Sequence, residues 1–68
     1  MHSHQEGTVK WFDEGRGIGV ISVEGERRDY LVLRCAAVNL ALSAGMRVLF
    51  EPVSEALGCW AFNVILRE

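Results

Sequence analysis

The chain has 68 residues, of which 50% are hydrophobic, and its formal net charge is −2. This length allows one small domain and excludes a two-domain enzyme, and the apolar content favours a folded globule over a disordered chain. No run approaches the roughly 18 apolar residues of a membrane-spanning helix, and a negative net charge argues against binding duplex DNA by bulk electrostatics.

The segments in chain order predict five short strands. Residues 1–5 have no periodicity and are expected to form a disordered leader, so that residues 6–68 form the domain. The predicted strands are rich in β-branched, aromatic or large aliphatic residues and are separated by turn residues. They span residues 8–13, 17–23, 29–34, 47–52 and 60–66.

The connections between these strands favour an all-β fold. Turns at residues 13–15 and 24–28 contain glycine and predict that the first three strands form a meander. The alanine-rich segment 36–44 is compatible with one helical turn or a 3₁₀ segment, and residues 51–58 are expected to form a loop with Pro52 at a strand edge. Without a long amphipathic helix, these elements predict a small five-stranded antiparallel barrel, with a simple sandwich as the alternative.

No catalytic or metal-binding pattern is present in the sequence. Cys35 and Cys59 do not form a CxxC pair, and the histidines, His2 and His4, lie in the expected leader, so we expect neither a metal site nor a cofactor. Both thiols are expected to be small buried hydrophobic groups, reduced in the cytoplasm. Because no Ser-His-Asp or Cys-His arrangement is available, enzyme activity is not expected.

Three motifs point to one family. Residues 7–21, GTVKWFDEGRGIGVI, join a strand carrying Lys10, Trp11 and Phe12 to a glycine-rich strand preceded by Arg16. With DYLVLRCA at 29–36 and GCWAFNV at 58–64, the chain resembles the cold-shock domain family. The resemblance implies an OB-like barrel whose outer face binds single-stranded RNA or DNA, stacking bases on aromatic rings flanked by Lys and Arg.

The chain departs from the family pattern where aromatic residues are usual. Ile18 and Val20 stand at ring positions of the glycine-rich strand. Leu31, Leu33 and Arg34 stand where the second motif usually has an aromatic, a histidine and another aromatic. Because aliphatic side chains offer bases no π-face, we expect weaker binding of single strands than in an aromatic-rich relative.

The resemblance assigns Trp11 to base stacking, although it could instead only pack. Phe12 has the opposite pleat parity, which leaves both the core and the outer face open for it. Trp60 is a further stacking candidate at a position that usually holds no ring in the family. The candidate nucleic-acid-binding residues are Lys10, Trp11, Phe12, Arg16, Arg34 and Trp60.

Two functions from different classes follow. The first is a cold-shock-like module that binds single-stranded RNA or DNA with low sequence preference and reduced affinity, as an RNA chaperone or in transcription regulation. The second is a protein-interaction or homodimerisation module that uses an aliphatic face in place of the aromatic platform. That face would consist of Ile18, Val20, Leu31 and Leu33, unless the strand register puts some of them in the core. No membrane partner is expected.

Overall fold

The structure is a computed structural model and describes residues 4–56 and 58–67. Five strands close into a barrel in the order β1-β2-β3-β5-β4. A 3₁₀ turn at Arg34–Ala36 follows the third strand. The expected all-β, five-stranded barrel is therefore confirmed. The strands are β1 (Gln5–Asp13), β2 (Ile18–Ser22), β3 (Asp29–Leu33), β4 (Arg47–Glu55) and β5 (Gly58–Leu66).

The sheet is mixed, so the expectation of a purely antiparallel barrel is wrong at one pairing. Four strand pairs are antiparallel. β3 and β5 run parallel, with Leu31 opposite Trp60 and Val32 opposite Ala61. A parallel pair needs a crossover connection, which the 3₁₀ turn, the following loop and β4 supply together. This pairing closes the barrel and leaves β3 without an open edge.

The inward side chains form one hydrophobic core. In β2 and β3, buried and partly exposed residues alternate, as the period of two in a strand requires. The ring of Tyr30 packs against Phe50 with centroids 5.1 Å apart, and the Tyr30 hydroxyl donates to Glu26 Oε1 at 2.9 Å. The core comprises Val9, Ile21, Val23, Tyr30, Val32, Ala37, Leu42, Val48, Phe50, Ala61 and Val64.

The last two strands are longer than the sequence indicated. β4 continues to Glu55 and β5 begins at Gly58, so most of the loop expected over residues 51–58 is strand instead. Pro52 lies inside β4, opposite Ala61. The pairing of β4 with β1 extends only to Phe50. Among residues 4–56 and 58–67, Pro52 therefore pairs only with β5, and proline is found at such positions because it has no backbone N–H to donate to a second neighbouring strand.

The first strand begins earlier than expected, and one of the two cysteines is exposed. β1 begins at Gln5, one residue before the expected domain boundary, and residues 1–3 of the expected leader lie outside the described residues.

Cys35 is exposed in the 3₁₀ turn, so the expectation that it is buried is wrong, because this turn buries none of its residues. Cys59 is half-buried and packs against the core. Across residues 4–56 and 58–67, no helix has the length and hydropathy to cross a bilayer.

Candidate nucleic-acid interface

A β-bulge at Lys10 turns Trp11 away from the core. Val9 lies opposite Ile21 and Trp11 lies opposite Val20, so β1 uses one more residue than β2 over this step. Without the additional residue, Trp11 would lie on the same, inward side of β1 as buried Val9. With it, Lys10 and Trp11 both face solvent, and Trp11 is 47% exposed. A cation and an indole are thus presented side by side.

Trp11 begins a row of apolar side chains that crosses the barrel surface. The pairing of neighbouring strands puts Val20 beside Trp11, Leu31 beside Val20 and Trp60 beside Leu31. With strands about 4.8 Å apart, the three steps from Trp11 to Trp60 amount to about 14 Å along the sheet. The two indoles therefore stand at opposite ends of the row, with an aliphatic strip between them.

A second apolar row runs beside the first. Ile18 lies opposite Leu33, which is 37% exposed. Leu33, Glu55, Trp60 and Phe62 line a shallow cleft of about 260 Å³. We call the two rows together the outer face. Its members are Trp11, Ile18, Val20, Leu31, Leu33, Trp60 and Phe62, so that all four aliphatic candidates are on it.

Phe12 lies on the other side of β1 from Trp11. It is half-buried, packs against the core and stands opposite Gly19. The sequence left both the core and the outer face open for Phe12, and in the structure Phe12 faces inward. The bulge that turns Trp11 outward also turns the next residue to the opposite side of the strand. The ring also borders a cleft of about 300 Å³, whose lining includes Arg34 and Leu40. Phe12 is therefore not part of the outer face.

The cations Lys10 and Arg16 border the Trp11 end of the outer face, and each lies near a carboxylate. Lys10 Nζ is 3.1 Å from Asp29 Oδ2. The side chain of Arg16 is 84% exposed, and its Nε lies 3.8 Å from Asp13 Oδ2. Because exposed ion pairs of this kind contribute little free energy, a phosphate group can replace either carboxylate at small cost.

Arg34 holds the turn between β1 and β2. Its guanidinium donates to the carbonyl oxygen of Glu14, and its backbone N–H donates to the carbonyl oxygen of Gly17 at 2.9 Å. Gly17 has a φ of 71°, and a Cβ at this position would lie 3.2 Å from Arg34 Cζ. The guanidinium therefore covers Gly17, so Arg34 fixes the turn that carries Arg16 as well as presenting a charge.

Sequence reasoning did not assign Asp29 or Phe62 to this surface. Asp29 is the partner of Lys10, and cross-strand pairing was needed to find it. Phe62 faces outward because Ala61, before it, is buried, and a bulge in β5 with Asn63 at a φ of 50° then returns Val64 to the core. The signal available for Phe62 was the unusual ring itself, two residues after Trp60 and therefore on the same face of a strand.

Among the described residues, no three His, Cys, Asp or Glu side chains lie close enough to hold a metal ion. The arrangement offers an exposed ring, a surrounding apolar surface and cations at one end. These groups suit the stacking of bases and the pairing of phosphates, which are the contacts that hold single strands.

Comparison with known proteins agrees with this architecture. No protein-family model matches the chain. Proteins named cold shock protein CspA from Staphylococcus aureus, Staphylococcus saprophyticus and Staphylococcus epidermidis are each 38% identical to it over 65 residues, which cover 90% of this chain and 96% of theirs. This similarity supports the expectation of a non-enzymatic domain. With 38% identity across nearly both full lengths and a five-stranded closed barrel, the chain belongs to the cold-shock protein family.

Proposed function

We propose that the chain binds single-stranded RNA or DNA with low sequence preference, through the Trp11 end of the outer face. The observation that carries the proposal is the exposed indole of Trp11 beside Lys10, on a barrel of the cold-shock family. Stacking of a base on an exposed aromatic ring contributes about 1–3 kcal/mol and tolerates any base, because every base has a π-face.

The affinity is expected to be lower than that of a relative with a full aromatic platform. Val20 and Leu31, the next residues in the row, offer no ring. The ring of Phe12 packs inward, and Trp60 stands at the far end of the face. Each missing stack lowers the binding free energy by on the order of 1 kcal/mol or more. The single stack at Trp11 therefore has to be accompanied by contacts between cations and phosphates.

Lys10, Arg16 and Arg34 supply that charge by contacting phosphates on either side of the stacked base. A net charge of −2 gives little long-range attraction to a duplex, whereas three local cations suffice for a short stretch of single strand. A domain with these contacts would hold RNA unpaired, which is the action of an RNA chaperone, and the same contact could serve transcription regulation. Both roles place the chain in the cytoplasm.

The test is the anisotropy of a fluorescently labelled oligo-thymidine titrated with the protein at low salt. Saturable binding is expected, with competition by unlabelled single-stranded DNA and RNA but not by a duplex of equal length. Absence of binding at high micromolar protein, or competition by the duplex as effective as that by the single strand, contradicts the proposal.

A second candidate is the docking of a protein or of a second copy on the aliphatic part of the outer face. The observation in its favour is the contiguity of Ile18, Val20, Leu31 and Leu33, which pair two by two across β2 and β3. Soluble monomers seldom leave such a patch uncovered. Sedimentation equilibrium should show self-association that weakens in Leu33→Gln, and a strict monomer at high micromolar concentration contradicts self-association.

A further inference from the structure

The cleft at the far end of the outer face differs from the Trp11 end in the charge of the side chains beside it. We infer that this cleft, lined by Leu33, Glu55, Trp60 and Phe62, binds the cationic end of an arginine or lysine side chain in a basic segment of another protein. The inference does not rest on the proposed binding of nucleic acid, because it concerns other side chains and a ligand of the opposite charge.

The walls of the cleft are aromatic and open to solvent. The parallel pairing of β3 with β5 puts Trp60 beside Leu31, and Phe62 follows on the same face of β5. Phe62 is 43% exposed and Leu33 is 37% exposed, so a ligand can reach both. The cleft volume of about 260 Å³ suits the end of one long side chain and not a folded domain.

The charged side chain that lines the cleft is acidic. Glu55 contributes to the lining, and Glu51 stands opposite Phe62 on β4. Within residues 4–56 and 58–67, no Lys or Arg lines the cleft and no basic side chain forms an ion pair with Glu55. Two aromatic rings, whose faces carry a negative quadrupole potential, together with a carboxylate are complementary to a cation.

The same charges disfavour a nucleotide in this position. A base stacked on Trp60 would bring its phosphate towards Glu55, while none of the cations Lys10, Arg16 and Arg34 is among the residues that line the cleft. A guanidinium, in contrast, can stack on an aromatic ring and pair with a carboxylate at the same time. Arginine is therefore the best ligand for this cleft, and lysine is the next.

The experiment is two-dimensional NMR of the ¹⁵N-labelled protein with the peptide Gly-Arg-Gly-Arg-Gly as the probe. The two indole N–H signals are assigned from the variant Trp11→Leu. We expect the Trp60 indole signal to shift saturably with the peptide while the Trp11 signal stays in place. A peptide with citrulline in place of both arginines has the same shape without the charge, and it should shift Trp60 much less.

Two carboxylate variants separate the local charge from the net charge. Glu55→Gln should weaken binding of the arginine peptide by about two- to fivefold, the upper part of the range for an exposed ion pair. Glu24→Gln makes the same change of net charge in a turn outside the cleft and should leave the affinity unchanged. Both side chains are exposed, so both variants should fold.

Four results would overturn the inference. The first is no shift of the Trp60 signal at peptide concentrations of about 10 mM, at which a dissociation constant of about 10 mM would give half-saturation. The second is equal binding of the citrulline peptide. The third is an oligo-thymidine that shifts Trp60 as strongly as Trp11 and competes with the peptide, which would make the cleft a base site. The fourth is a Trp60 signal that shifts with protein concentration in the absence of peptide, and that no longer does so in Arg16→Gln. That result would mean that the occupant of the cleft is a second copy.

Discussion

Gly19 and Phe12 face each other across β1 and β2, and the ring of Phe12 occupies the space that a side chain on Gly19 would need. A Cβ at position 19 would lie 2.6 Å from Phe12 Cδ1 and 2.6 Å from the carbonyl oxygen of Trp11. Because the second of these atoms belongs to the backbone, a rotation of the ring cannot relieve the contact. Gly19 therefore permits the close approach of the two strands that carry the Trp11 end of the outer face.

Gly19→Ala should destabilise the domain by about 1–3 kcal/mol, the range found for overpacked sites. Gly15→Ala is the matched control, since its Cβ would meet only Asp13 Oδ1 at 3.4 Å, and its effect should stay within about 0.5 kcal/mol. Urea unfolding followed by tryptophan emission measures both. Equal stability of the two variants would contradict the packing described for Gly19.

Tyr30 should make the stability of the fold depend on pH in the alkaline range. Its burial, followed by its hydrogen bond to Glu26 and the negative charge of that carboxylate, raises the pKa of Tyr30 above its ordinary value of 10.0. The folded state then retains the phenol proton to higher pH than the unfolded chain does. The stabilisation is complete below the unfolded pKa and is lost as the pH rises from there through the folded pKa.

Tyr30→Phe removes this dependence together with the hydrogen bond. At neutral pH the variant should lose about 0.5–1.5 kcal/mol of unfolding free energy. Between about pH 9 and pH 11, its stability should fall less steeply than that of the wild type. Urea unfolding at several pH values in this range is the measurement, and parallel curves for the two proteins would exclude Tyr30 as the titrating group.

Asp29→Asn should increase the affinity for single strands. The carboxylate of Asp29 lies 3.1 Å from the ammonium group of Lys10 and competes with phosphate for it. Removing its charge should tighten binding at low salt by about two- to fivefold, as expected for an exposed ion pair. Glu24→Gln changes the net charge equally but away from Lys10. If both variants tighten binding to the same extent, the effect is one of overall charge and not of Lys10.

The salt dependence of binding should be shallow. With Lys10, Arg16 and Arg34 as the phosphate contacts, the slope of log K against log salt should be about −2, at roughly −0.7 per contact for single strands. Arg16→Gln should reduce the slope by about 0.7, while Arg27→Gln, in the turn between β2 and β3, should leave it unchanged. Anisotropy titrations at a series of salt concentrations measure the slope, and equal slopes for wild type and Arg16→Gln would remove Arg16 from the contact set.

Much of the barrel could be predicted from alternation in the sequence. The observed strands at residues 18–22 and 29–33 lie within the predicted second and third strands. These strands could be predicted because one residue in two must face the core. The glycine-rich strand and the motif at 29–36 also indicated a family, which the relatives confirm. For Val20 and Leu31, the outward position follows from the same period of two.

The remaining features depend on irregularities that a period of two does not contain. Trp11 faces solvent because β1 has an additional residue at Lys10, and nothing in the residue types of that segment fixes the position of a bulge. The cleft beside Trp60 exists because β3 and β5 pair in parallel, a long-range relationship. The sequence indicated a loop over residues 51–58 with Pro52 at a strand edge, but β4 continues through Pro52 to Glu55, past the stretch that pairs with β1 in the described residues.

The most direct measurement is a comparison of two variants that each retain one tryptophan. Both are titrated with oligo-thymidine at low salt, after urea unfolding has established that both are folded. Trp60→Leu, with Trp11 as the remaining indole, should bind almost as tightly as the wild type, with strong quenching of its emission. Trp11→Leu should bind about 5- to 150-fold more weakly, which corresponds to the loss of one stack worth 1–3 kcal/mol. Unchanged affinity of Trp11→Leu, or unchanged Trp11 emission at saturating strand, would contradict base stacking at this end of the face.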